Sequence, residues 1–285
     1  MAVSRALGTP AALAGATALV MVAFAANSVL ARLALRTTAL DAASFTGLRV
    51  LAGALVLAVV VRQRGAGSWA SAAALVVYAA AFSAAYLSLA TGTGALILFG
   101  AVQLTMTGWG LTHGERLSGL QAVGLAAALG GLVLLLRPGL EAPPLGPALL
   151  MAASGVAWGA YSLRGRGGDP AATTAGNFRR AVPLAGALVV GSALAGSGLT
   201  WDAGGAGYAV ASGALTSGLG YLAWYAVLPA LRAVTAATVQ LSVPVLAALG
   251  GLALGEPITL RLAVASVVTL GGIAVVVRGR GPRPS

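Results

Sequence analysis

Apolar stretches of about twenty residues recur ten times along this 285-residue chain, separated by short connections rich in Gly, Pro, Arg and Asp. A helix needs roughly 20 apolar residues to cross about 30 Å of hydrocarbon, and backbone placed in lipid must satisfy its own hydrogen bonds. The spans are placed near residues 11–31, 42–61, 69–89, 94–112, 119–136, 145–163, 181–198, 205–228, 233–254 and 261–277. With 59% of residues apolar and 8% charged, no segment remains from which a soluble domain would form. The expected fold is an all-α integral membrane protein of ten transmembrane helices, in one membrane domain over residues 1–285.

The two halves of the chain repeat one another. Residues 110–115 read Gly-Leu-Thr-His-Gly-Glu and residues 251–256 read Gly-Leu-Ala-Leu-Gly-Glu, an offset of 141 residues (251 − 110). At the same offset Gly130, Gly131 and Arg137 fall opposite Gly271, Gly272 and Arg278. A division near Pro138 to Pro147, where prolines break any helix, leaves five spans on each side. An odd number per half makes the second half enter the membrane from the opposite face, so the repeats are expected to be inverted, around a shared central cavity. The Gly110/Gly114, Gly251/Gly255 and Gly155/Gly159 pairs have the spacing that lets helices approach closely. Glu115 and Glu256 read as structural anchors rather than proton carriers, Ser118 and Thr259 as caps of the following helices, and His113 as an interface residue.

All 17 basic residues are arginine, against six acids, for a net charge of +11. They lie singly or in pairs at loop ends and are not gathered with aromatic residues, which argues against nucleic acid. With the N-terminus cytoplasmic, twelve fall inside (Arg5, Arg62, Arg64, Arg116, Arg164, Arg166, Arg179, Arg180, Arg232, Arg278, Arg280 and Arg283). Five fall outside: Arg32, Arg36, Arg49, Arg137 and Arg261. The bias favours both termini in the cytoplasm. A cleaved signal peptide ending near Ala23-Phe24-Ala25 is a rival reading, but the apolar run continues to Leu35 and cleavage would leave the repeat incomplete. The chain has no cysteine, which excludes disulfides and thiolate metal sites. No metal-ligand, phosphate-loop or nucleophile motif occurs, so no cofactor and no enzymatic activity are expected.

Aromatic residues are scarce, and their placement carries the functional reading. Tyr78, Phe82 and Tyr86 recur every four residues on the third span, hence on one helical face; Tyr221 and Tyr225 repeat that spacing on the eighth, with Trp224 beside them. Phe24, Phe99 and Trp158 fall within other spans, near Tyr161. Trp69 and Trp201, near span ends, suit the interfacial belt. Asn27, Gln103 and Gln240 lie at depth, where an unsatisfied amide is costly, and are expected to face a wet cavity or another helix. Pro244, one turn after Gln240, frees a carbonyl and permits a kink. No charged residue is placed securely at the midplane, so the energy source is not legible.

The segment 236–259, with Ser242-Val243-Pro244-Val245 followed by Gly255-Glu256-Pro257-Ile258-Thr259, resembles the end of an EamA repeat of the drug/metabolite transporter superfamily. The resemblance covers most of both halves, with residues 1–139 as the first EamA-like repeat and 144–285 as the second. It implies ten helices as two inverted five-helix repeats with cytoplasmic termini. Within the superfamily the chain is most similar to YddG-type aromatic amino acid exporters of bacterial inner membranes. That similarity implies an exporter in which the duplicated aromatic stripe is a wall of the substrate cavity. The small-molecule substrate, an amino acid or related metabolite, is expected to meet Phe24, Tyr78, Phe82, Tyr86, Phe99, Trp158, Tyr221, Trp224 and Tyr225 through its apolar part, while the sequence leaves the oligomeric state, a monomer among the options, open. Asn27, Gln103 and Gln240 would be its polar contacts. A broader exporter of amphipathic drugs or metabolites is the alternative; a membrane-embedded enzyme or passive channel is a third reading. Gln103 stands where the second half has Pro244, so the two half-sites are not chemically equivalent.

Overall fold

The computed structural model describes residues 9–62, 66–137, 142–165, 169–196 and 198–278. The sequence expectations resting on Arg5, Arg64, Pro138, Arg166, Arg280 and Arg283 lie outside those residues. The described residues form helices and no strand: α1 (Pro10–Thr37), α2 (Ala42–Val60), α3 (Trp69–Tyr86), α4 (Thr91–Thr112), α5 (Gly119–Leu136), α6 (Leu145–Arg164) and α7 (Pro170–Leu194) precede a composite rod. That rod is α8 (Ala203–Ala211), a π-helical stretch (Ser212–Leu219) and α9 (Gly220–Val227), continuous through right-handed helical backbone at both junctions. A broken helix follows, α10 (Ala233–Gln240) and α11 (Val243–Ala253), and α12 (Leu260–Arg278) ends the described chain. Helices α1 to α4 and the run Thr235–Ala253 are long and apolar enough to cross a membrane, while Gly119–Leu135 and Leu260–Val276 are apolar but shorter. Large apolar side chains such as Leu19, Val59 and Leu194 point outward at 70–84% exposure, as a lipid-facing surface requires.

Helix starts follow local chemistry. Thr9, Asp41, Ser68, Ser118, Asp169 and Asp202 each accept a first-turn amide through the side chain. Ser118 forms a full capping box with Gln121, and Thr259 accepts from the Leu262 amide, so both expected caps hold. Asp41 also takes the Thr200 amide, tying the α2 entry to the segment before α8. Burial pushes its carboxyl up, but the amides of Ser44, Thr200 and Ala43 outweigh this and hold its pKa below the usual carboxylate value.

The largest departures from the expected spans are at the seventh and ninth stretches. The seventh helix begins at Pro170, not near residue 181, because Asp169 caps it and Pro170 suits its first turn; Arg179 and Arg180 are inside the helix. Arg180 is accommodated there by donating to the Ala66 and Gly176 carbonyls. The ninth stretch breaks between Gln240 and Val243, just ahead of Pro244, as that proline suggested.

Contacts between the two halves occur in exchanged pairs. α3 packs on α6 as α1 packs on the α8–α9 rod; α4 packs on α6 as α11 packs on α1. α2 meets α7, α4 meets α10 and α11, and α5 meets α12, each an element against its counterpart in the other half. The glycine pairs divide into two kinds. Gly155 and Gly159 are true close approaches, since a Cβ on either would reach the Leu98 carbonyl or Thr105 of α4. Gly114 and Gly255 instead have φ of +86° and +79° just past a helix end, with open space around them. They are left-handed terminating residues, so reading them as packing contacts is corrected.

Candidate functional site

The rings of both halves converge at the centre of the bundle. Trp158 of α6 is the hub, with ring centroids 5.3 Å from Phe24, 5.1 Å from Tyr78, 5.5 Å from Tyr161 and 4.5 Å from Tyr221. Phe24 of α1 adds Phe99 at 6.4 Å and Trp224 at 5.8 Å. All are buried. Phe24, Asn27, Ser28, Tyr78, Phe82, Leu98, Phe99, Trp158 and Tyr221 enclose a void of about 10 Å³. An open chamber is expected here; edge-on interdigitation of the rings closes it to the space of about one water, against the several hundred Å³ usual for a small-molecule site.

The duplicated aromatic stripe is only partly at this void. Tyr86 and Tyr225 end the two stripes away from it. The Tyr86 hydroxyl donates to the Thr91 carbonyl and its ring lies on Gly94; the Tyr225 hydroxyl donates to the Tyr161 carbonyl and its ring lies on Gly165. Trp224 donates to Ser162 behind Phe24. Trp69 and Trp201 are exposed at helix starts, as interfacial rings would be.

Of the three deep amides, Asn27 alone lines the void. Its Oδ1 accepts from Ser212 and Thr216 at 2.7 and 3.1 Å, and its Nδ2 donates to the Tyr78 hydroxyl at 3.2 Å. Gln240 is one layer back: it accepts from Trp158 Nε1 at 2.8 Å and donates to the Ala236 carbonyl. Gln103 donates to Thr107 within α4 and leaves Oε1 without a partner. Gln240 therefore orients the hub ring. Trp158→Phe, which keeps a ring but deletes the donor, is expected to lower stability by about 1 kcal/mol, read as an earlier thermal unfolding in detergent. An unchanged midpoint would show that the bond contributes nothing.

Arg49 is the main correction. Counted with the outer charges, it instead lies within α2 at 1% exposure, so a cation does occupy the interior of the bundle. Its Nε donates to Ser217 Oγ at 2.9 Å, and its Nη2 to the Tyr78 and Tyr221 hydroxyls at 2.9 and 2.6 Å. Its Cζ lies 5.0 Å from the Tyr78 centroid and 4.9 Å from that of Phe82. A buried ion loses several kcal/mol of hydration, which hydroxyls and ring faces return only in part. Sequence reasoning missed Arg49, Ser28 and Ser217. The available signal was an arginine eight residues into an apolar span, by default a functional position in a membrane protein.

The π-helical stretch explains how so many hydroxyls arrive together. π winding hydrogen-bonds i to i+5, so residues five apart share a face. Ser212 and Ser217 then address Asn27 and Arg49, while Gly213 and Gly218 meet the backbone and side chains of α2.

Two larger cavities lie elsewhere. One of about 300 Å³ is bordered by Arg32, Leu89, Glu256 and Thr259. Another of about 400 Å³ lies between α2 and α7, beside Arg179 and Pro183. Among the described residues no group of acidic and histidine side chains is arranged to hold a metal ion.

Residues 145–278 match the EamA-like transporter family, whose members are transporters. The uncharacterized protein PA1977 of Pseudomonas aeruginosa is 57% identical over 272 residues, covering 93% of this chain and 94% of that protein. A solved crystal structure superposes with a TM-score of 0.68 at 21% identity, covering 92% of this chain and 97% of the other, a likeness of fold. With its apolar helices and the matched half, the chain belongs to the EamA-like transporter family of multi-pass membrane proteins.

Proposed function

We propose that this transporter exports amino acids, aromatic ones favoured, across a bacterial inner membrane by alternating access. In this reading the ten helical rods are two inverted five-helix repeats, 1–139 and 144–285, with both termini cytoplasmic and the substrate held at the ring cluster between them. The single observation that carries it is that rings from both halves meet around one central void: Phe24, Tyr78, Phe82 and Phe99 from the first, Trp158 and Tyr221 from the second. The exchanged pairing of helices supports the pseudo-twofold relation, since a site on such an axis is opened alternately by each half. The rings now fill the space a substrate would take, so this is a closed arrangement in which T-shaped partners must separate for entry.

Uptake into liposomes containing the purified protein tests the proposal with phenylalanine, threonine and a cationic drug. Saturable phenylalanine flux that accelerates against a preloaded gradient, with threonine slower, is expected. Phe24→Ala, which removes a ring touching four others, is expected to lower phenylalanine flux about tenfold or more, because a buried ring carries a few kcal/mol of contact. No flux of any amino acid would sink the assignment, and flux of the drug alone would favour a broad exporter of amphipaths.

A further inference from the structure

The polar cluster behind the ring wall has a surplus of donors. A hydroxyl oxygen offers two lone pairs, yet Asn27 Nδ2, Arg49 Nη2 and the Tyr221 hydroxyl all converge on the Tyr78 oxygen, at 3.2, 2.9 and 3.1 Å. The Asn27 carbonyl oxygen is already taken by Ser212 and Thr216. Arg49 Nη1 is buried and has no partner at all. Every group that Arg49 does touch is neutral: two tyrosine hydroxyls, a serine and two ring faces. Arg32 pairs with Glu256, and among the described residues no carboxylate pairs with Arg49. The cluster thus lacks what a carboxylate supplies, negative charge on oxygens that only accept.

Its position adds the second part. Tyr78, Phe82 and Tyr221 are shared: each lines the central void on one side and touches Arg49 on the other. An anionic group entering between the rings meets the guanidinium as soon as the two tyrosine hydroxyls swing aside, and those hydroxyls occupy in the closed form the place its oxygens would take.

We propose that Arg49 is the anchor for a carboxylate on the transported substrate, so that the site selects organic acids with an apolar body, and cations are excluded. This rests on the proposed substrate chamber and narrows its substrate class: the carboxylate is the recognised group and an ammonium is dispensable, since no acidic side chain faces it there among the described residues.

Binding to the full-length protein in detergent, followed by the change in total tryptophan fluorescence, to which Trp158 and Trp224 in the ring cluster contribute, separates the possibilities. The probes are 3-phenylpropionate, phenylalanine, phenylalanine methyl ester and phenethylamine. Both carboxylates are expected to bind, and the ester and amine to bind more weakly by about tenfold to a hundredfold, the range for losing a hydrogen bond to a charged group. Arg49→Gln is expected to abolish that preference, and Arg49→Lys, which keeps the charge without the fork, to retain part of it. The wild-type series decides the matter even if the variants do not fold. Equal binding of the acid, ester and amine, absence of binding by either acid in the millimolar range, or a carboxylate preference kept by Arg49→Gln would each overturn the proposal. Binding of 3-phenylpropionate through Arg49 without flux of any amino acid would remove the amino acid assignment and leave the anion site standing. Flux of phenylalanine and its ester at equal rates would do the reverse.

Discussion

Gly213→Val is expected to yield no folded protein in detergent, and Gly191→Ala to be as stable as the parent. The contrast comes from what a side chain would meet. A Cβ on Gly213 would sit 2.1 Å from the Arg49 carbonyl oxygen and 2.9 Å from the Ala52 Cβ. The obstacle is backbone on a neighbouring helix, which has no rotamer to move aside. Gly53 and Gly218 face the same crossing, with the Gly53 Cβ position 3.0 Å from the Gly213 carbonyl oxygen and that of Gly218 3.2 Å from the Gly53 Cα, so α2 and the π-helical stretch touch along three glycines. Helices in lipid associate through close packing, without a hydrophobic force between them, and overpacking costs about 1–3 kcal/mol even where side chains can adjust. Gly191 has nothing within 4 Å of its Cβ position; alanine there falls within about 0.5 kcal/mol of the parent. Size-exclusion profiles and thermal unfolding of the two variants check both halves of the statement. A monodisperse, stable Gly213→Val would mean that this crossing does not fix the depth of α2, and with it the depth of Arg49.

That crossing also marks the limit of what the chain reveals before its structure is known. Helix positions were legible because hydropathy and caps are local: α1, α2, α3, α5, α7, α8 and α12 each start at a Ser, Thr or Asp visible in the sequence. The convergence of Phe24, Tyr78, Trp158 and Tyr221 was legible because inward rings at four-residue spacing have few places to go. Three features were not. The π winding of Ser212–Leu219 depends on how glycines and serines pack against α2, and the sequence there reads as ordinary apolar helix. Arg49 was absorbed into a count of loop charges; the partners that make it tolerable, Tyr78, Ser217 and Tyr221, lie 29, 168 and 172 residues away. The void was expected to be larger because the aromatic residues were known and their interlocking angles were not. Tyr86 and Tyr225, read as chamber residues by the same stripe, instead fasten its two ends to carbonyls.

Removing the Glu256 carboxylate is expected to open the end of the bundle that the proposed orientation places outside and to leave the other end closed. The repeated Gly-Leu-x-x-Gly-Glu motif is a crossed latch. In each copy the second glycine ends its helix in a left-handed turn, and the glutamate amide bonds back to the carbonyl of the first glycine. The carboxylate is thereby delivered to the first amide of the other half's fourth helix: Glu115 accepts from Ala233 at 2.9 Å and Glu256 from Thr91 at 2.8 Å. The first glycine of each copy keeps space for this, since a Cβ on Gly251 would lie 2.6 Å from Glu256 Oε2 and one on Gly110 would lie 3.0 Å from Glu115 Oε2. Glu256 has a further partner in Arg32 Nε at 2.6 Å, and Arg32 Nη1 donates to the Tyr86 carbonyl at 3.1 Å, so α1, α3, α4 and the end of α11 are joined at one point. Loss of a helix cap alone is worth about 1 kcal/mol, and the ion pair adds to it; together they shift a two-state equilibrium by about tenfold. The absence of cysteine makes the native chain its own background for labelling. A single Ser28→Cys, at a side chain 1% exposed beside the void and one turn from Arg32, is expected to react with an impermeant thiol reagent added outside about tenfold faster once Glu256→Ala is added. Glu115→Ala should not accelerate that reaction, because its latch lies at the opposite end. Equal rates in all three proteins would show that the motif only holds helix ends together and has no part in closing the chamber.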